Sequence, residues 1–292
     1  MVAGLNVHTH PSSQSISKTC PEVFQMSKPY LQLLKEIVIE LGKNSLLHLE
    51  GHLNAGLKGS HKELVTFVDR QNEHTAAQRI HESYPDHKIL GEESYTGDAF
   101  EQDDFVWVID PIDGTTNYVH QKQCFAISIA LYRNGQGLCG AVYDPTKEEL
   151  FWAEKGSGAY LNNQRLWIPS ESTELTQALI ATYIRYDQEE KRLGFDRFVH
   201  QIANDSRGIR MIGCGSLELA YVACGRFNAY FSSYQKPWDF AAGKLLIEES
   251  GGAVTCLNGE PVNIYLSGSS ILAAGKDLHR EILSISKTVL YS

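Results

Sequence analysis

A mixed fold class is predicted, α+β over the first half of the chain and α/β over the second. Three observations carry this. Phe105–Ile109 is a near-continuous apolar run, the pattern of a strand covered on both faces. Strand-like segments then follow one another with turns between them, at 125–132, 137–143 and 149–154. Beyond about Pro169, helical and strand patterns alternate.

From Tyr30 to about Leu53 apolar residues recur at helical spacing, through Leu34, Ile37, Leu41 and Leu47. Residues 63–69 open a second segment that leads into a helix through Gln71–Tyr84, stopped by Pro85. Lys88–Leu90 is a short strand ending at Gly91-Glu92-Glu93-Ser94. The run 105–109 ends at Asp110. The three strands after it, with turns at Gly135 and Asp144-Pro145, read as an antiparallel meander. In the second half, 192–204, 216–224, 240–250 and 278–289 are helical. The strands there are 228–231, 253–257 and 270–274, with Gly251-Gly252 as a C-cap and Asn258-Gly259 as a turn.

Residues 1–26 lack a secretory apolar core and are expected to form a disordered tail; Met26, just before the helical pattern, is a second candidate start. Residues 27–169 form an N-terminal α+β lobe and 170–292 a C-terminal α/β lobe. With no repeat and no Gly/Ser linker, the two are expected to share one packed body.

The 292 residues carry a formal net charge of −9. No dense Lys/Arg run is present, which argues against nucleic-acid binding. No apolar run reaches the length of a membrane helix. The six scattered cysteines contain no C-x-x-C pair, so they read as reduced residues of a cytoplasmic protein rather than a zinc cluster. No H-E-x-x-H, P-loop or complete dinucleotide fingerprint occurs.

The chemistry concentrates at 107–117, Trp-Val-Ile-Asp-Pro-Ile-Asp-Gly-Thr-Thr-Asn. A buried strand delivers Asp110 and Asp113, three residues apart, across a tight turn. Two ionised carboxylates that close repel, so a cation between them is implied, and Mg²⁺ suits an all-oxygen site. Gly114 lets backbone approach a ligand, and Thr115 and Thr116 can offer N–H groups and hydroxyls to phosphate. A plain Asp-Pro-Gly turn is the bland alternative; five apolar residues directly before Asp110 weigh against it. Glu92 offers a further ligand, though a Glu pair is usually a solvated corner. Asp239, in the first turn of its helix, is either an N-terminal cap or a metal ligand from the second half. Asp69 alone reads equally as cap, surface acid or catalytic group.

Together, Leu-Val-Thr-x-x-Asp at 64–69, Gly-Glu-Glu-Ser at 91–94, Trp-Val-Ile-Asp-Pro-Ile-Asp-Gly-Thr-Thr-Asn-Tyr-Val-His at 107–120 and Trp-Asp-x-Ala-Ala-Gly with Glu-x-Gly-Gly at 238–252 resemble the inositol monophosphatase family. These are lithium-sensitive, Mg²⁺-dependent phosphatases, and the likeness runs from about Lys28 to the C-terminus. It implies a layered αβαβα sandwich of the inositol monophosphatase / fructose-1,6-bisphosphatase type, usually a homodimer, with two or three Mg²⁺ per subunit. By position, Glu92, Asp110 and the Ile112 carbonyl would hold one ion, and Asp110, Asp113 and Asp239 a second. Glu92 would also serve a third. Asp69 and Thr115 would orient and deprotonate the attacking water. Gly114 and Thr115 would bind phosphate, and Lys58 would assist indirectly. The stretch with Cys214 and Gly215 would face substrate. Ser232 stands where inositol-hydrolysing members carry an acid, so the implied substrate, a small phosphate ester, widens to NADP(H), fructose bisphosphate or other sugar phosphates. An aspartyl-phosphate route needs D-x-D-G-T, whereas two residues separate the aspartates here. A non-catalytic regulator on the same fold is the other rival, and the complete acid set speaks against it.

Overall fold

The computed structural model describes residues 21–49, 56–57, 64–97, 100–101, 103–169, 173–184 and 189–291. In order these form α1 (Pro21–His48), β1 (Gly56–Leu57), β2 (Leu64–Val65), α2 (Phe67–Ser83), β3 (Lys88–Gly91), β4 (Phe105–Asp113), α3 (Thr115–His120), β5 (Ala126–Arg133), β6 (Gln136–Asp144), β7 (Glu149–Glu154), β8 (Gly158–Leu161) and β9 (Gln164–Arg165). There follow β10 (Leu179–Tyr183), α4 (Glu189–Asp205), β11 (Gly208–Arg210), α5 (Gly215–Ala223), β12 (Ala229–Gln235), α6 (Pro237–Glu249), β13 (Ala253–Thr255), β14 (Ser269–Ala274) and α7 (Lys276–Leu290).

Five layers result. Helices α1 and α2 cover one face of a seven-stranded sheet ordered β3-β4-β5-β6-β7-β8-β9. Helices α5 and α6 fill the space between it and a five-stranded sheet ordered β11-β10-β12-β14-β13. Helices α4 and α7 close the far side. One apolar cluster lies around α5 and α6 between the sheets, joining residues of both halves of the chain. A second lies under α1, and a third under α4 and α7. A helix between two sheets has little solvent side, so α6 buries most of its residues, from Trp238 and Phe240 to Leu245, Leu246 and Ile247, and leaves Glu248 exposed near its end. The αβαβα sandwich expected from the motif resemblance is the observed fold.

The meander is real from β4 to β9, and β3 adds a parallel edge to it. Strands β8 to β11 are short additions that the sequence pattern did not mark. Helix α1 starts at Pro21, where a fixed φ suits the first helical position. One expectation is corrected: the expected turn after Asp110 is absent, since β4 continues through Pro111 to Asp113. Residues 1–20, including Cys20, and 50–55 at the expected end of the first helix lie outside the described residues. The five described cysteines are free thiols, and among the described residues no helix is long and apolar enough to cross a membrane.

One side chain under α1 makes stability depend on pH. His87 lies between Tyr84 and Phe105, ring centroids 4.7 and 4.5 Å away, and its Nδ1 accepts the Trp107 indole N–H at 2.9 Å. Burial lowers its pKa below the usual histidine value. The unfolded chain therefore takes up this proton first as pH falls. Stability is complete above about pH 6.5 and declines below it toward the native pKa. We expect the melting temperature to drop between pH 7 and 5.5, and to drop less in His87→Gln, which keeps an acceptor for Trp107 without titrating. An equal drop in both proteins excludes His87 as the source.

Candidate active site

In a regular strand, residues three apart point to opposite faces. Asp110 and Asp113 do not, because β4 carries one extra residue between them. Asp110 pairs with Ser128 on β5 while Asp113 pairs with Ala126, so three steps on β4 match two on its neighbour. This bulge, which takes in Pro111 with no ladder N–H to lose, turns both carboxylates to one side. Asp239 arrives from α6, where it occupies the third helical position and accepts the Lys236 N–H at 2.8 Å. Oxygens of Asp110, Asp113 and Asp239 all lie within 4.8 Å of one another. Glu92, in the turn after β3, joins them with its side chain hydrogen-bonded to that of Asp110.

Such a cluster is costly without a counter-charge. Asp110 is buried, and burial first, then the charges of Glu92, Asp113 and Asp239, push its pKa well above the carboxylate range. The hydrogen bond from Ile112 N–H to Asp110 Oδ1, at 3.1 Å, does not offset this. Asp113 is pushed up by burial too, but less, because Ser216 N–H (2.6 Å) and the Cys214 thiol (3.2 Å) donate to its Oδ2. An all-oxygen, multiply anionic donor set of this kind fits a hard divalent cation.

A second pair adjoins it. Thr66 and Asp69 form a reciprocal capping box at the start of α2, in which Asp69 Oδ2 accepts the Thr66 N–H at 2.8 Å and the Thr66 hydroxyl. The other oxygen, Oδ1, accepts the Thr115 hydroxyl at 3.1 Å. Asp69 thus completes the capping box of Thr66 and at the same time contacts Thr115 with its other oxygen. Thr115 Oγ1 is also 3.0 Å from the Ile112 carbonyl. Gly114, with φ +82°, is left-handed, and a Cβ there would lie 3.1 Å from Cys124 O and 3.2 Å from Cys214 Cβ. Thr115 starts α3, and Thr116 is exposed beside it.

Not every expected residue reaches the open site. Ser232 on β12 is fully buried, and its hydroxyl donates to Tyr234 O at 3.1 Å or Tyr183 O at 3.4 Å, so it faces its own chain. Cys214 is buried as well and meets Asp113 rather than open space; burial pushes its thiol pKa well up and leaves it a donor. Gly215 opens α5 against the Gln235 amide. Lys58 lies outside the described residues. The sequence reading missed Ser216, Asn117 and Glu218. Asn117 Nδ2 bonds Cys124 O and Ile212 O at 2.9 and 2.8 Å, tying the 114–117 segment to the loop before α5. Its position in the Gly-Thr-Thr-Asn run was the available signal.

Glu218 holds that loop from beneath. It is fully buried, its Oε1 accepts Ile212 N–H at 2.7 Å, and among the described residues its Oε2 has no partner. Burial, then the nearby charge of Asp113, raises its pKa from 4.5 to about 8. The native state therefore binds a proton that the unfolded state releases, and this stabilisation is full below pH 4.5 and lost as pH rises through about 8. Glu218→Gln keeps the acceptor and removes the charge. In metal-free buffer it should melt higher than wild type at pH 9, by roughly 5 °C, with the gap closing at pH 5. A gap independent of pH excludes the ionisation of Glu218 as its cause.

The family model described as "Inositol monophosphatase family" matches residues 27–291. An inositol-1-monophosphatase of Bacillus subtilis is 37% identical over 251 residues, 86% of this chain and 94% of that protein. The Nus factor SuhB of Escherichia coli K12 is 39% identical, covering 75% of this chain and 80% of its own. Among solved structures, inositol monophosphatase-II of Staphylococcus aureus superposes with a TM-score of 0.79 at 36% identity, over 90% of this chain and 96% of its own. SaIMPase-II with 2'AMP bound superposes at 0.75 and 35% identity, over 88% and 92%. The matched span takes in both sheets and every acid of the site, and on that ground the chain belongs to the inositol monophosphatase family.

Proposed function

We propose that this protein is a Mg²⁺-dependent phosphomonoesterase acting on a small phosphorylated metabolite of the inositol monophosphate kind. The observation that carries the reading is the convergence of Asp110, Asp113 and Asp239 within 4.8 Å, from two halves of the chain, beside the Asp69–Thr115 pair. Glu92, Asp110 and the Ile112 carbonyl hold one ion in this reading; Asp110, Asp113 and Asp239 hold a second, with a third weaker ion at Glu92. Bound cations supply neutralisation of the phosphate oxygens and of the leaving alkoxide, which a slow phosphate monoester needs. The protein's own groups do the rest. Backbone N–H groups of Gly114 and Thr115, with Thr116 beside them, bind phosphate at the start of α3. Thr115 Oγ1 accepts a hydrogen bond from the attacking water while its own proton lies toward Asp69, which draws the water's proton toward the pair.

The leaving group is decided away from these acids. The 2'AMP complex of a related protein favours, as a second reading, a nucleoside 2'-phosphate such as that of NADP(H), and fructose bisphosphate is a third. The buried hydroxyl of Ser232 supports this breadth, because it offers no acid to a ring hydroxyl. A lobe boundary near residue 169, a homodimer, a cytoplasmic location and Li⁺ sensitivity complete the proposal. One relative bears the name of a Nus factor, and a purely regulatory chain is the rival class. The test is phosphate release from inositol 1-phosphate, 2'AMP, NADP and fructose 1,6-bisphosphate at several mM Mg²⁺. Turnover of at least one, abolished by EDTA and by Asp110→Asn, supports the enzyme. No release from any of them overturns it.

A further inference from the structure

Helix α2 turns a polar face to the protein interior. Asp69, Asn72 and Glu73 are all buried, and their i, i+3, i+4 spacing places them on one stripe. Asp69 belongs to the site already described; Asn72 and Glu73 have no role there. Asn72 is 0% exposed. Its Nδ2 donates to Ser45 Oγ at 2.9 Å and approaches the Pro111 carbonyl at 3.4 Å, and its Oδ1 accepts from Asn44 at 2.8 Å. Glu73 is 5% exposed, and its Oε2 accepts the Glu93 N–H at 2.8 Å. The same carboxylate lies flat against Gly91, where an added Cβ would fall 2.5 and 2.7 Å from its two oxygens. Among the described residues no lysine or arginine pairs with it.

Burying a carboxylate costs several kcal/mol unless a cation or hydrogen bonds compensate it, and among the described residues Glu73 has a backbone N–H but no cation. Its contacts give it a role. They pin the turn of residues 91–93, from which the Glu92 side chain reaches Asp110. Asn72 likewise pins the Pro111 carbonyl at the bulge, one peptide before the Ile112 carbonyl.

We propose that Asn72 and Glu73 are positioning residues that aim Glu92 and the Ile112 carbonyl at the metal. This rests on the reading of those two groups as ligands. One stripe of α2 thereby sets three parts of the site at once: the Thr115 hydroxyl through Asp69, the bulge through Asn72, and the Glu92 turn through Glu73. Groups that orient metal ligands are typically worth about 10–100-fold in metal affinity.

The test is calorimetric titration of the full chain with MgCl₂ alone, alongside melts in EDTA. Glu73→Gln retains an acceptor for Glu93 N–H and should bind Mg²⁺ within about twofold of wild type. Glu73→Asp keeps the charge but withdraws the oxygens by one methylene, and should weaken binding roughly tenfold or more. Asn72→Leu, with the same branching but no hydrogen-bonding group, should weaken it several-fold, and the melts in EDTA show whether it folds. At saturating Mg²⁺ the substrate KM of each variant should stay at the wild-type value. Wild-type affinity in both Glu73→Asp and Asn72→Leu overturns the proposal. So does a loss in Glu73→Gln as large as in Glu73→Asp, which assigns the effect to charge instead of position. If wild type itself takes up no Mg²⁺, the ligand reading fails rather than the positioning alone.

Discussion

Asp110→Asn should abolish phosphate release and yet leave the metal-free protein more stable than wild type. Asparagine has the shape of aspartate and keeps an oxygen for the Ile112 N–H, which now meets Asp110 Oδ1 at 3.1 Å. What it removes is one charge from a set of four, where the buried Asp110 is opposed by Glu92, Asp113 and Asp239. Without a cation that charge is a liability, and relief should be worth about 1–3 kcal/mol in EDTA at pH 8. The sign follows from the raised pKa. The native state of wild type holds a proton on this group more tightly than the unfolded chain does. Its stability is therefore greatest in acid and falls as pH rises through the native pKa. The advantage of the variant should accordingly shrink from pH 8 to pH 5. Activity responds in the opposite way, because the residue common to both proposed ion sites is lost; a fall of at least about 10³-fold corresponds to some 4 kcal/mol of transition-state stabilisation. Melts in EDTA at the two pH values, with phosphate release in Mg²⁺, check both halves. A variant less stable than wild type in EDTA would show that the acids are not in mutual repulsion. Active sites that store repulsion commonly trade stability for function in this way.

The same segment shows how far the sequence could be read. Five apolar residues before Asp110 marked a strand with both faces covered, and that strand lies inside the larger sheet, between β3 and β5. The acids were legible because carboxylates on a buried strand demand a reason. Their common direction was not legible, since a three-residue spacing is neutral until the bulge at Pro111 is known, and bulges depend on the partner strand's register. Strands β10 and β11, five and three residues long, also went unread; β10 lacks the clear turn signals that marked the equally short strands at 88–90 and 253–257. Glu73 was hidden for a different reason. A glutamate inside a polar helical stretch reads as solvated, and only the glycine packed against it, Gly91, reveals that it is buried. Ser232 marks the limit for specificity. Its place in the chain pointed at substrate, but the hydroxyl is satisfied by backbone carbonyls of Tyr183 and Tyr234, which no spacing rule foresees.

Asp69→Asn should separate the two roles of that residue. The carboxylate now accepts on both sides: Thr66 N–H and hydroxyl at Oδ2, and the Thr115 hydroxyl at Oδ1. An asparagine has one acceptor and one donor end. The helix start needs an acceptor for the Thr66 N–H, so the amide oxygen goes there and the amide nitrogen faces Thr115. Capping is then largely kept, with a stability loss of about 1 kcal/mol or less. The Thr115 hydroxyl, however, now meets a donor and must turn its proton elsewhere, toward the Ile112 carbonyl 3.0 Å away or toward the water it should receive. Loss of a positioned base of this kind costs about 10²–10⁴-fold in kcat. Thr115→Ala should fall in the same range, Thr115→Ser should retain most activity, and the double variant Asp69→Asn/Thr115→Ala should be little worse than either single one, because the two act as a unit. Affinity for Mg²⁺ should be unchanged throughout, since neither side chain is among the proposed ligands. Multiplicative losses in the double variant would mean that Asp69 and Thr115 serve separate steps, and a large drop in melting temperature for Asp69→Asn would return the residue to a purely structural cap.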